Sequence, residues 1–200
     1  MNKVSYLLAP LAMMFTIASC SSVRETGTVT GVFAEQIPDS VRVSIPAINY
    51  DESFDIFGDH ATVKIPICLY SEAYFQPKGM PKVRFISDGT DLSIDYTLTG
   101  NLKVTSADSR HSVDHHWRNY NAWYGLQCDR ATAKKEPLSE NIIYKDKAKS
   151  FIITNNDNII AIYALRDLSN WAPKEELQPL IEQLSPKLLR SDEVKHILAK

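Results

Sequence analysis

The sequence predicts an α+β fold that is mainly β, a single antiparallel sandwich-like or strongly bent sheet carrying short C-terminal helices. Three observations predict it. Short runs rich in β-branched and aromatic residues recur from Thr28 to about Leu165, several with apolar residues at alternate positions. Residues suited to tight turns separate them. After Leu165 the apolar spacing changes to the three-and-four rhythm of a helix face.

In chain order the expected strands are Thr28 to Ala34, Val41 to Ile45, Thr62 to Tyr70, Lys82 to Ser87, Leu92 to Leu98, Leu102 to Ser106, Tyr120 to Cys128, Ser150 to Thr154 and Ile159 to Leu165. Asp88-Gly89-Thr90 and Thr99-Gly100-Asn101 supply positive-φ or side-chain-bonded turn residues, and Gln76 to Pro81 reads as a longer connection. Asn155 to Asn158, between two β-branched runs, reads as a hairpin loop. Further on, Leu177, Leu180, Ile181 and Leu184 share one helical face, with Pro179 beginning or kinking the helix. Ser185-Pro186 has the form of an N-cap followed by proline at the first helical position. A last helix is expected after Ser191, with Asp192 and Glu193 in its positive first turn and Val194, Ile197 and Leu198 on one face.

The composition is that of an ordinary globular chain: 200 residues, 44% hydrophobic and 23% charged, with a net charge of -2. That balance excludes a strongly basic nucleic-acid binder, and seven glycines and three cysteines exclude glycine-rich repeats and disulfide-dense miniature scaffolds. The N-terminus differs in character. Lys3 precedes an apolar stretch from Val4 to Ala18 that ends in small residues, which is secretory signal architecture and is shorter than the ~18 to 20 residues a bilayer span requires.

Ile17-Ala18-Ser19-Cys20 resembles the lipobox of bacterial lipoproteins, an aliphatic residue and two small residues before an obligatory cysteine. The resemblance covers about the first tenth of the chain. It implies that residues 1–19 are removed, that the Cys20 sulfur receives diacylglycerol and that the new amino group is acylated. With ~0.8 kcal/mol per buried methylene, three acyl chains such as palmitate make the anchoring permanent. Ser21, rather than Asp, follows the cysteine, which by the same resemblance implies a cell-outer-membrane lipoprotein facing the periplasm. Lys3 is the only charge in the leader, so its removal takes the net charge from -2 to -3. The expected organisation is a signal peptide at 1–19, a lipidated tether at 20–27, and one β-rich domain at 28–200 whose helical tail is 166–200.

Cys68 and Cys128 then remain, an even pair in an oxidising compartment, and a disulfide between them is the simplest reading. Such a bridge contributes roughly 4 kcal/mol of chain entropy for its loop. Alternation places Cys68 off the apolar face of its strand, so bonding requires a bulge near Pro66 or a covering segment. The alternative is two reduced, buried cysteines.

The densest chemical stretch holds His111, Asp114, His115 and His116, residue types that suit Zn or Cu. It contains no complete zinc spacing, and adjacent His115 and His116 diverge on an extended chain, so a polar loop is the plainer reading. Trp117, Arg118 and Trp123 form a candidate binding surface, because aromatic residues and Arg dominate interface energies; Trp123 covered by other elements is the alternative. Asp51, Glu52, Asp55 and Asp59 lack EF-hand spacing and read as a solvated loop. No GxSxG elbow, SxxK pair, Walker loop or GxGxxG fingerprint occurs, and no cofactor is implied.

These readings converge on a membrane-tethered, non-enzymatic module that binds a protein, either as an envelope accessory or as a toxin-immunity or exclusion factor. Its expected partners are the membrane, through the acyl chains on Cys20, and an envelope protein, with no nucleic acid. The alternatives are a His-dependent metal-binding protein or envelope hydrolase, and a structural subunit of a trans-envelope complex docking through the Leu177, Leu180, Ile181 and Leu184 stripe.

Overall fold

The computed structural model describes residues 26–34, 36–97 and 102–199. The leader, Cys20 and the Thr99-Gly100-Asn101 turn lie outside the described residues. Eight strands come first: β1 (Thr26–Val32), β2 (Ser40–Ile45), β3 (Tyr50–Asp55), β4 (His60–Pro66), β5 (Cys68–Pro77), β6 (Val83–Ser87), β7 (Leu92–Asp95) and β8 (Lys103–Ser106). Six helices follow: α1 (Val113–Lys134), α2 (Ile142–Thr154), α3 (Ile159–Leu168), α4 (Lys174–Ile181), α5 (Pro186–Leu189) and α6 (Asp192–Ala199).

The fold is α+β, with the strands in two four-stranded sheets, ordered β4-β1-β7-β8 and β3-β2-β5-β6. All pairings are antiparallel except β1 with β7. Alternation explains the core between the sheets. Val41, Val43 and Ile45 of β2, Ala61, Val63 and Ile65 of β4, and Leu92 and Ile94 of β7 are buried at every second position and pack with Val29, Phe75, Phe85 and Cys68. Gly31 lets the sheets close, because a Cβ there would lie 2.8 Å from the Phe75 ring and 2.9 Å from that of Phe33.

Strand register gives the sandwich two ends. Thr26 of β1 lies opposite Pro66, whereas Val32 lies opposite both His60 and Asp95, and Asp95 in turn opposite Lys103. In the other sheet Ser87 sits at the Thr26 end, its hydroxyl donating to the Pro66 carbonyl at 2.6 Å. Pro81 sits at the far end, accepting from the Tyr96 hydroxyl at 3.2 Å. The chain therefore enters at one end, and Lys103 and the start of β6 lie at the other, about 20 Å away along β1.

The six expected strands from Thr28 to Ser106 correspond to β1, β2, β4 with β5, β6, β7 and β8, with the single run Thr62 to Tyr70 divided. Ile67 interrupts it, so that β4 and β5 belong to different sheets. β3 was not anticipated, because Asp51, Glu52 and Asp55 make it polar; it is an exposed edge strand on which Asp51 pairs with Arg42 of β2.

The last three expected strands are helices. Tyr120 to Cys128 lies within α1, where Trp117, Tyr120, Tyr124, Cys128 and Ala131 recur at helical spacing and face inward. Ser150 to Thr154 ends α2, which buries Tyr144, Ala148 and Ile152 at intervals of four. Ile159 to Leu165 lies within α3, which is buried all round, a pattern that shows no period by which strand and helix can be told apart. Asn155 to Asn158 is accordingly a helix-to-helix connection rather than a hairpin loop, and the Asn158 side chain caps α3 by accepting from the Ile160 amide at 3.2 Å. The helical part thus begins at Val113 rather than at residue 166.

The helices bury a second core, made of Tyr144, Ile152, Leu165, Leu180 and their neighbours. A small third cluster of Ile86, Trp117, Ile160 and Tyr163 joins β6, α1 and α3. α4, α5 and α6 form where the sequence places them, with Pro186 at the first position of α5 and the Ser191 hydroxyl accepting from the Val194 amide.

Candidate functional site

The polar joint between sandwich and helices is built from Asp88. At the turn where Gly89 takes φ +88°, Oδ1 of Asp88 accepts from the Thr90 amide and hydroxyl. Its Oδ2 accepts from the Ser112 hydroxyl at 2.9 Å and from the Asp114 amide at 3.0 Å, which ties the N-terminus of α1 to the sandwich. Asp114 itself, the second residue of α1, is 1% exposed. Its Oδ1 accepts the Ile86 amide of β6 at 2.8 Å, and its Oδ2 accepts from Arg118 Nε at 2.6 Å. Arg118 also donates to the Arg84 carbonyl at 2.7 Å. Burial pushes the Asp114 carboxyl above its ordinary range, against the opposing pull of Arg118 and the Ile86 amide.

On the other side of β6, Glu72 of β5 accepts from the hydroxyls of Tyr163 and Tyr74 and from Arg84 at 2.8 Å. Burial alone would raise its carboxyl, but the two tyrosine hydroxyls and the Arg84 guanidinium outweigh it and hold Glu72 below the usual carboxylate range. Both arginines lie over Trp117, with guanidinium carbons 4.8 Å (Arg84) and 5.4 Å (Arg118) from its ring centroid.

Above this joint lies a cleft of about 610 Å³ between β6, β8 and α1. Lys82, Val83 and Arg84 form one wall, Leu102, Lys103 and Val104 the other, and Trp117, Arg118 and Asn121 the base. The lining holds four cationic side chains and no carboxylate. Glu72 and Asp114 offset Arg84 and Arg118 from behind, whereas Lys82 and Lys103 make no ion pair among the described residues. Lys82 lies over the Tyr74 ring at 4.3 Å, and Lys103 stands opposite Asp95 in the β7–β8 register. The arrangement can attract and orient a polyanionic ligand.

The expected site residues are distributed unevenly. Arg118 lies in this cleft. Trp117 forms its floor, at 3% exposure, instead of projecting as a recognition residue. Trp123 is half-buried, stacked on Tyr144 at 5.7 Å with Lys147 Nζ 4.3 Å from its centroid, so it covers the helical core and is not part of the same surface.

The four candidate metal ligands are not brought together. Asp114 points into the joint, His111 pairs with Asp108 at 2.8 Å, and His115 Nε2 lies 2.9 Å from the Asn119 amide nitrogen. His116 is exposed. No group of three or more His, Cys, Asp or Glu side chains is placed to hold a metal among the described residues. Cys68 and Cys128 are free thiols rather than a disulfide. Cys68 packs inside the sandwich, and Cys128, on a helix instead of the expected strand, packs against the helical core.

The sequence reading missed Lys82, Arg84, Lys103 and Asn121. Lys82 and Arg84, two apart on a strand, signalled a cationic face, but their convergence with Lys103 from the other sheet and Arg118 from a helix is a matter of tertiary structure.

No protein-family model matches the chain, and no curated protein matches it. Among solved structures, the solution structure of CBM25-1 of the β/α-amylase from Paenibacillus polymyxa aligns at 15% identity. It covers 42% of this chain and 94% of that one, with a TM-score of 0.28. No helix among the described residues is long and apolar enough to cross a membrane.

Proposed function

We propose that this chain is a lipoprotein, anchored through Cys20 to the outer membrane and facing the periplasm, that works as a non-enzymatic protein-binding module. Anchoring rests on the Ile17-Ala18-Ser19-Cys20 lipobox. The observation that carries the binding role is the cleft at the joint, where four cationic side chains over a buried Trp117 form a preorganised surface and no carboxylate enters the lining. Arginine and aromatic residues held by buried partners are the composition of a docking site, because little side-chain freedom remains to be lost on association. An envelope accessory or a toxin-immunity factor fits this chemistry. Docking through the Leu177, Leu180, Ile181 and Leu184 stripe does not, since all four are buried within the helical core.

Two measurements test the reading. Metabolic labelling with palmitate is expected to mark the chain and to be lost in Cys20→Ala; an unlabelled wild-type chain sinks the anchoring. Photo-crosslinking residues placed in cells at positions 57, 105 and 143, all exposed, are expected to capture a specific envelope or toxin protein at one site or more. No captured protein at any of the three sinks the docking role.

A further inference from the structure

We infer that the cleft takes an extended, carboxylate-rich segment of a partner protein, laid along the open edge of β8 with its acidic side chains on Lys82 and Lys103. The inference rests on the docking-module reading above and adds the partner's chemistry and its mode of binding.

β6 and β8 are edge strands of the two sheets, and both face the cleft. The β6 edge is already occupied, because Asp114 takes the Ile86 amide and Arg118 takes the Arg84 carbonyl. The β8 backbone pairs on one side only, with β7, among the described residues. An unpaired edge four residues long, about 13 Å, is a template for a short added strand.

The walls choose the side chains. Glu72 and Asp114 balance Arg84 and Arg118, and Asp95, outside the lining, offsets part of Lys103, so the surplus charge is that of Lys82 and what remains of Lys103, one on each wall. On the β8 side lie Leu102, 38% exposed, and half-buried Val104, whereas Val83 is buried in the sandwich core. An added strand alternating acidic and apolar residues would set carboxylates on the lysines and apolar side chains on Leu102 and Val104.

The β8 edge favours a protein over lipid headgroups, because its amides and carbonyls, paired only with β7 among the described residues, match a peptide backbone and a headgroup offers no such ladder. The described chain starts at Thr26, and Cys20, six residues earlier, can lie at most about 20 Å from it. Lys103 is at the opposite end of the sandwich from Thr26, about 20 Å along β1 from where the described chain starts.

The test uses the full chain in detergent and a fluorescent octapeptide alternating Glu and Val, followed by anisotropy. Binding is expected to weaken about tenfold or more in Lys82→Glu/Lys103→Glu, to weaken with added salt, and to be lost when alternate peptide nitrogens are N-methylated. Because both lysines are exposed, the double variant should melt at the wild-type temperature, which separates lost binding from lost fold. Unchanged affinity in the double variant, equal binding of the N-methylated peptide, or its displacement from Cys20→Ala protein by phosphatidylglycerol vesicles would each overturn the inference. Crosslinks in cells from position 57 or 143 but not 105, with no peptide binding, overturn the slot while the docking module stands. No crosslink from any of the three removes both.

Discussion

Asp114, buried on α1, accepts the amide hydrogen of Ile86 at 2.8 Å and so stands where a further strand would pair with the open edge of β6. With Arg118 one turn later donating to the Arg84 carbonyl, a helix satisfies consecutive outward-facing groups of an edge strand through side chains alone. The same two contacts help join the sandwich to the helices, beside those of Asp88 with Ser112 and Asp114 and of Tyr163 with Glu72, so protection of the edge and attachment of the helices share residues.

Asp114→Ala should therefore cost about 3 kcal/mol, because it leaves the Ile86 amide and the Arg118 guanidinium without their acceptor. Asp114→Asn retains an oxygen for the amide and should cost less. Urea unfolding midpoints measure both, and an equal loss in the two variants would mean that the amide contact contributes nothing.

Asp167 on α3 behaves differently with pH. Burial, only partly opposed by Arg166, raises its carboxyl to about 6. The folded chain then keeps a proton that the unfolded chain releases near pH 4, so this contribution to stability is complete below pH 4 and is lost as pH rises to about 6. Asp167→Asn should remove that slope and raise stability above pH 7 by about 2 kcal/mol. Unfolding free energies collected from pH 4 to 8 would show it; parallel curves for wild type and variant would contradict the assignment.

Two glycines should respond oppositely to alanine. At Gly31 the new Cβ meets the Phe75 and Phe33 rings inside the sandwich, and Gly31→Ala should cost about 2 kcal/mol. At Gly125, exposed within α1, nothing lies within 4 Å, and Gly125→Ala should stabilise by about 1 kcal/mol through helix propensity. Thermal melts of the two variants should shift in opposite directions.

The cysteines should differ in access. Half-buried Cys128 should be alkylated in the native protein and buried Cys68 only on unfolding, with no mass change on reduction. A mass gain of two hydrogens on reduction would restore the bridge.

Local pattern and tertiary structure divide this protein at Ser112. Before it, period-two burial in β2, β4 and β7 is written in Val41, Val43 and Ile45, in Ala61, Val63 and Ile65, and in Leu92 and Ile94, so those strands are legible without a structure. After it, aromatic and β-branched residues carry strand propensity in α1 and α2, whose burial follows helical spacing, and in α3, which is buried all round, and packing overrides propensity. The amphipathic C-terminal helices were legible because a one-sided apolar stripe has a period that an all-round buried helix lacks.

By itself the sequence determined the lipobox resemblance at Cys20, the α+β class, the strands up to Ser106 apart from β3 and the break at Ile67, and the last three helices, all of them properties of neighbouring residues. Only the tertiary structure decided that Cys68 and Cys128 occupy separate cores, that Asp114 seals a strand edge instead of joining its neighbouring histidines, and that Lys82 and Lys103 face one cleft. Each of these depends on residues far apart in the chain, and local spacing carries no record of which sheet or helix their elements will pack against.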